Sequence, residues 1–148
     1  EITNPHNGVV VVDTPIEKFL KEDLSLYDFI LKNTKNSGIM IGNHILSSFS
    51  KSKPINSCQV VIDFINERYG EELITITDSI NMQSFKLLYD ENGLYDYVKT
   101  DLILMTDLYG YNVNSILKKG NDKRLQSLKK IMMLKLLNGN IIFEEVHK

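Results

Sequence analysis

Two residues of the sequence have the chemistry of a catalytic group, His44 and Cys58. A histidine can act as a general base, and a cysteine close to a helix N-terminus can be a nucleophile. Neither has a partner nearby in the sequence, and the histidines and the cysteine, at positions 6, 44, 58 and 147, lack the spacing of zinc ligands. Motifs of the GxxxxGKS, HExxH and GxSxG types are absent. The sequence therefore predicts no catalytic residue, no metal site, no cofactor and no enzymatic activity.

Charged residues offer two further candidates for chemistry. Asp96 and Asp101 fall on the polar side of a predicted helix, where they are expected to be solvated. Among the charged residues, acidic ones predominate over residues 63–107 and basic ones over residues 118–135, which predicts a dipolar surface. Such charges are typical of solvated helix faces, and the alternative is a surface that steers an acidic partner through Lys123 and Arg124. Because the pI is 5.9 and no aromatic residues alternate with the lysines, we predict no nucleic-acid binding.

The composition is that of one folded domain. The chain has 148 residues, of which 43% are hydrophobic and 24% charged, and its single cysteine excludes an internal disulfide. No apolar run is long enough to span a membrane. Because the chain opens at Glu1, flanking segments such as a membrane anchor could have been removed. We predict an N-terminal arm over residues 1–13 and one domain over residues 14–148.

Helical spacing of apolar residues dominates the rest of the chain. It predicts helices over 14–35, 39–49, 56–69 and 121–137, with shorter ones around 85–88 and over 112–119. Residues 74–77 alternate and are β-branched, as in a short strand, but their surroundings favour a helix over 71–80. Residues 94–109 are apolar around more than half of a helix, which is typical of a central helix. The predicted fold is an all-α bundle of seven or eight helices around it.

Four short segments resemble the poxvirus Bcl-2-like family, the intracellular virulence factors of chordopoxviruses. They are INERYGEEL at 65–73, DLYGY at 107–111, KRLQSLKKI at 123–131 and NGNIIF at 138–143. The resemblance implies a Bcl-2-like fold and a non-enzymatic protein of the host cell cytoplasm. It implies an immune-evasion protein that binds a host signalling adaptor or kinase complex and inhibits activation of NF-κB or of interferon regulatory factors. It also implies self-association through the helices over 14–35 and 112–119.

The same resemblance leaves one alternative open, an anti-apoptotic protein that binds pro-apoptotic BH3 helices in a surface groove. The apolar floor of such a groove would be Phe64, Ile76, Phe85, Leu88 and Val98. Such a groove also needs a cation for the aspartate of the bound helix. The expected arginine is absent after Asn92-Gly93, and Lys99 is the nearest cation, which favours the signalling function.

Overall fold

The fold is a mixed α/β structure with parallel strands. The computed structural model describes residues 4–34, 36–88, 98–106 and 121–137. Along the chain these form β1 (Val11–Val12), α1 (Ile16–Lys18), a π-helical turn (Phe19–Asp23), α2 (Leu24–Asn33), β2 (Gly38–Ile41), β3 (Ile45–Leu46), a 3₁₀ turn (Ile55–Ser57), α3 (Gln59–Tyr69), β4 (Ile74–Thr77), α4 (Gln83–Leu88) and α5 (Asn121–Leu137). The prediction of an all-α, Bcl-2-like bundle is therefore wrong.

The strands form two parallel pairs. β2 pairs with β4 over its whole length, from Gly38 opposite Ile74 to Ile41 opposite Thr77. β1 pairs with β3, with Val11 opposite Ile45. Parallel strands cannot be joined by a tight turn, and α3 provides the long crossover between β2 and β4. The N-terminal arm thus adds a strand to the body of the protein.

A third extended segment continues the sheet beyond β4. The N–H of Leu102 donates to the Thr75 carbonyl over 2.9 Å, and the N–H of Thr77 donates to the Leu102 carbonyl over 3.0 Å. Residues 98–106 are therefore not helical, and the predicted central helix over 94–109 is wrong where the structure describes it.

Two hydrophobic clusters attach helices to the sheet. In the first, Ile41 of β2 packs with the α3 residues Val61, Ile62 and Ile65. In the second, Ile80, Phe85 and Val98 are buried together, with Ile103 and Met105 against them. Side chains alternate across a strand, so Ile39 and Ile41 lie on the same, helix-covered side of β2.

Two further predicted helices are strands in the structure. Residues 39–49 contain β2 and β3, and residues 71–80 contain β4. Within β4, Ile74, Thr75 and Thr77 are all buried. A strand buried on both faces reads as a continuous apolar or β-branched run, without the alternation of a half-exposed strand. The strand interpretation of residues 74–77, left open above, is the one the structure has.

The remaining predicted helices that fall on described residues are confirmed. The helix over 14–35 appears as α1, the π-helical turn and α2, and those over 56–69 and 121–137 appear as α3 and α5. In α5, Leu125 and Leu128 are 54% and 50% exposed, while Ser127 is buried. The helix predicted over 112–119 lies outside the described residues. Within the described ranges, no helix combines the length and apolarity that crossing a bilayer requires.

Candidate functional site

The carboxyl ends of β2 and β4 bring two titratable side chains to one end of the sheet. Asp78 directly follows β4, and its N–H donates to the Ile41 carbonyl at the end of β2 over 2.9 Å. His44 lies three residues after Ile41, on the short connection to β3. In open parallel sheets and in barrels, the loops at the carboxyl ends of the strands form the active site. This end of the sheet is therefore the candidate site.

The Asp78 carboxylate is held in place by its own loop. Its Oδ1 accepts a hydrogen bond of 2.6 Å from the Ser79 N–H. The Asp78 side chain is half-buried, so the carboxylate is fixed yet still reachable from solvent. A hydrogen bond from a main-chain N–H to a carboxylate is charge-assisted and stronger than a neutral one.

The His44 imidazole is half-buried beside this carboxylate. Burial lowers the pKa of His44 from its usual value of 6.5, and the negative charge of Asp78 partly opposes that effect. The ring also lies over Gly42, where a Cβ would stand only 2.8 Å from Nδ1. His44 is thus favoured as a neutral imidazole, which can both donate and accept a hydrogen bond.

A second set of contacts links the loop after β4 to residues 104–106. The Asn81 Oδ1 accepts from the Thr106 N–H over 2.9 Å, and the hydroxyls of Ser79 and Thr106 lie 3.1 Å apart. The N–H of Ile80 donates to the Leu104 carbonyl over 3.0 Å. The residues after Asp78 are therefore tied to the neighbouring extended segment as well as to β2.

The N-terminal turn over residues 4–7 adjoins the same region. The Ser84 N–H, at the start of α4, donates to the Pro5 carbonyl over 3.0 Å. Asn4 stabilises the turn by accepting the His6 N–H on its side chain over 2.9 Å. His6 itself is exposed.

The arrangement combines a fixed carboxylate with an imidazole. A carboxylate in this setting can act as a nucleophile or a base on a neutral substrate, and an imidazole can orient a hydroxyl or transfer a proton. Within the ranges that the structure describes, no three histidine, cysteine, aspartate or glutamate side chains come together as a metal site would require.

The residues predicted to bind a partner lie in separate places. Phe85 and Val98 are each only 2% exposed and pack together in the second cluster, beneath α4. Phe64 packs against the first cluster on α3, while Ile76 lies in β4 and Leu88 at the end of α4. A single groove with these five residues as its floor is therefore not what the structure has.

The predicted cations are also dispersed. Lys99 precedes the extended segment, and its N–H donates to the Asn56 carbonyl over 2.9 Å. Lys123 and Arg124 lie in the first turns of α5, and their side chains fall outside the described residues. Steering of an acidic partner by Lys123 and Arg124 stays a prediction.

Other candidates of the sequence have structural roles. Asp101 was expected to be solvated, but its carboxylate accepts from the Thr75 N–H over 2.9 Å and from Lys130 Nζ over 3.1 Å, with its side chain only 10% exposed. Cys58 is a buried free thiol in the first cluster. Asp96 lies outside the described residues.

Sequence reasoning passed over Asp78 and gave His44 no partner. Their association is visible only once β2 and β4 are recognised as parallel neighbours, because the two residues are 34 positions apart. The available signal was an aspartate immediately after the Ile-Thr-Ile-Thr run, which is where a buried parallel strand presents a functional side chain.

Comparison with known proteins finds similar folds among solved structures. No protein-family profile and no curated protein matches the chain. Among solved structures, Zn-bound CbsA from Thermotoga neapolitana is similar with a TM-score of 0.77 and 14% identity, over 97% of this chain and 34% of that chain. A glycoside hydrolase family 3 β-N-acetylglucosaminidase from Paenibacillus has a TM-score of 0.77 and 14% identity, over 98% of this chain and 30% of that chain.

A third similar structure is a fungal multi-domain family 3 β-N-acetylglucosaminidase that contains a GCN5-related glucosamine N-acetyltransferase region. Its TM-score is 0.70 and its identity 20%, over 90% of this chain and 18% of that chain. This chain thus spans about a third or less of the structures it matches. At these identities the likeness establishes a shared fold.

The shared fold corrects the functional predictions. The α/β fold with parallel strands overturns the predicted Bcl-2-like inhibitor of innate signalling, and the anti-apoptotic alternative fails with it, because both rested on an all-α bundle. The prediction of a non-enzymatic protein rested on the same bundle and is wrong as well, since the fold in its place is one that β-N-acetylglucosaminidases share.

Proposed function

We propose that this chain is part of a glycoside hydrolase of the family 3 type and that it acts on a β-linked N-acetylglucosamine residue. The proposal depends mainly on the position of Asp78, a fixed and half-buried carboxylate at the carboxyl end of a parallel strand. The similarity to two β-N-acetylglucosaminidases supports the substrate class.

Glycoside hydrolysis needs a carboxylate near the anomeric carbon and an acid for the departing oxygen. Asp78 takes the first role, as the nucleophile that attacks the anomeric carbon or as the base that activates a water there. Its hydrogen bond from the Ser79 N–H fixes one oxygen, Oδ1, and leaves Oδ2 to approach the sugar.

We assign different roles to His44 and His6. Burial favours the neutral form of His44, so we assign it to hydrogen bonding with a sugar hydroxyl. His6 is exposed on the turn that Ser84 holds, so we assign it to proton donation to the departing oxygen.

The test is hydrolysis of aryl N-acetyl-β-glucosaminides by the purified chain, compared with the corresponding glucosides. Asp78→Asn should abolish turnover while leaving the fold intact. Asp63→Asn is the matched control, because Asp63 is an exposed carboxylate on α3 that Gln59 contacts. Turnover that survives Asp78→Asn, or a wild-type chain that neither cleaves nor binds the sugar, would contradict the proposal.

The histidine roles are separated by the leaving group. His6→Gln should slow a substrate with a poorly acidic leaving group, and should spare a nitrophenyl substrate, which needs little protonation. His44→Gln should slow both alike, since orienting the sugar matters for either leaving group. Equal losses in the two variants would remove the assignment of His6 as the acid.

A further inference from the structure

Two fully buried asparagines form a chain of hydrogen bonds beneath the candidate site. Asn56 and Asn43 are 0% and 1% exposed. The Asn56 Nδ2 donates to the Asn43 Oδ1, and the Asn43 Nδ2 donates to the Ser79 carbonyl over 2.7 Å. Such polar groups are costly to bury, and here each side-chain amide satisfies the next.

The groups at the two ends of this hydrogen-bond series fix the orientation of both side-chain amides. The Ser79 carbonyl can only accept, so the Asn43 amide must present its NH₂ to Ser79 and its oxygen to Asn56. At the other end, the Ser57 hydroxyl donates to the Asn56 Oδ1 over 3.0 Å. The Lys99 N–H holds the Asn56 main-chain carbonyl over 2.9 Å. Neither amide can flip without losing these bonds.

The hydrogen bond from Asn43 to Ser79 joins the neighbours of His44 and Asp78. Asn43 immediately precedes His44, and Ser79 immediately follows Asp78. The bond between Asn43 and Ser79 therefore ties the loop after β2 to the loop after β4 at the point where both present their titratable side chains.

We propose that Asn43, oriented by Asn56, is a positioning residue that sets the separation of the His44 imidazole and the Asp78 carboxylate. The effect of Asn43 on hydrolysis rests on the proposed function. The effect of Asn43 on the separation of His44 and Asp78 does not, because that separation can be followed without any substrate.

The test measures how strongly His44 senses Asp78. The His44 pKa is followed by NMR in the wild type and in Asp78→Asn, and the same pair is repeated with Asn43→Ala. Removing the Asp78 charge should lower the His44 pKa in the wild-type background. With Asn43→Ala that shift should fall to less than half, because the two loops are no longer held together. An unchanged shift would overturn the proposal.

A matched control separates positioning from a general loss of stability. Asp101→Asn breaks a buried hydrogen-bonded pair with Lys130 near the amino end of β4, away from the candidate site. This variant should lower stability and leave the response of His44 to Asp78 unchanged. If Asn43→Ala does not fold, Asn56→Ser provides the measurement, since it removes the donor to the Asn43 Oδ1 and leaves Asn43 in place. If Asp101→Asn reduces the response as much as the asparagine variants do, the proposal fails.

Kinetics add a second readout. A misplacement of about 1 Å at a reacting group can cost about 10²-fold in rate. We expect Asn43→Ala to lower kcat by that order with a smaller change in KM, whereas Asp101→Asn should leave kcat unchanged. If Asn43→Ala reduces the shift of the His44 pKa in a chain that cleaves no sugar, the positioning role is supported and only the proposed hydrolysis is contradicted. If the shift is unchanged in a chain that does cleave the sugar, the proposed hydrolysis is supported and the positioning role is contradicted.

Discussion

Asp78 and Ile41 are joined by a main-chain hydrogen bond of 2.9 Å that continues the β2–β4 pairing by one position beyond the strands. The carboxylate therefore starts from a backbone position that the sheet itself fixes. Placement on a strand end is more rigid than placement in a long loop, which suits a group that must approach a single carbon atom.

The close approach of β2 and β4 predicts a large effect of Gly38→Ala. A Cβ at this position would stand 2.9 Å from the Ile74 carbonyl oxygen, which is main chain and cannot move away cheaply. We expect the free energy of unfolding to fall by about 1–3 kcal/mol. Urea denaturation measures it, and a midpoint equal to that of the wild type would show that the strands are not in this register.

Gly42→Ala should act on the site with a smaller effect on the fold. Its Cβ would meet the His44 ring at 2.8 Å from Nδ1 and 3.1 Å from Cε1, and a side chain can be displaced where a carbonyl cannot. We expect an altered His44 NMR signal and, on the proposed function, weaker binding of N-acetylglucosamine. Gly38→Ala is the comparison, because it lies at the other end of β2. Gly42→Ala with an unaltered His44 signal would contradict the position given to the ring.

The second cluster predicts which apolar side chains are structural. Phe85 is 2% exposed, whereas Leu87, two residues along α4, is 61% exposed. Phe85→Ala should lower the free energy of unfolding by about 3–5 kcal/mol. Leu87→Ala should change it by no more than about 0.5 kcal/mol. Thermal and chemical denaturation check both, and similar costs for the two variants would contradict the burial of Phe85 in the second cluster.

The ion pair between α2 and α3 predicts a dependence of stability on pH. Two hydrogen bonds from the Arg68 guanidinium, 2.9 and 2.6 Å long, lower the pKa of Asp28 from 3.8 to about 2, and a hydrogen bond of 2.9 Å from the Tyr69 hydroxyl adds to the effect. Because the fold favours the ionised form, this stabilisation is fully present above pH 3.8 and is lost as the pH falls towards about 2.

The measurement compares the wild type with Asp28→Asn by denaturation across that range. The wild type should be the more stable protein at pH 5, and the difference should shrink steadily between pH 3.8 and about 2. Asp63→Asn, on the exposed face of α3, should show no such convergence. A difference between wild type and Asp28→Asn that stays constant down to pH 2 would show that the pair is not formed in solution.

Helix periodicity in this sequence was informative where the helices are long and half-exposed. The helices α2, α3 and α5 follow the predicted segments, since a helix on the surface of a sheet keeps an amphipathic pattern. The short segment Ile74–Thr77 has no such pattern, because its neighbours cover it from both sides. The segment Gly38–Ile41 alternates between exposed and covered residues, but four residues are too few to distinguish a strand from a helix. Local sequence therefore could not separate these strands from buried helix.

The candidate site was harder to predict than the elements. His44 was noted but could not be paired, because its partner Asp78 is brought to it by strand pairing across the α3 crossover. Asn43 and Asn56 carry no sequence signal for burial, since asparagine is ordinarily a surface residue. The segment INERYGEEL, which resembles the poxvirus family, lies at the end of α3 and in the turn before β4, within a fold that is not a helical bundle.

Two threonine hydroxyls in β4 accept hydrogen bonds from main-chain N–H groups, as the carbonyls of a neighbouring strand ordinarily do. The Thr75 Oγ1 accepts the Asp101 N–H over 3.0 Å, and the Thr77 Oγ1 accepts the Leu104 N–H over 2.9 Å. Valine has nearly the shape of threonine but would leave both amides unpaired in a buried place. In a selection for folded variants, positions 75 and 77 should therefore admit serine and reject valine, a preference opposite to the one that hydrophobicity alone would impose on the middle of a sheet.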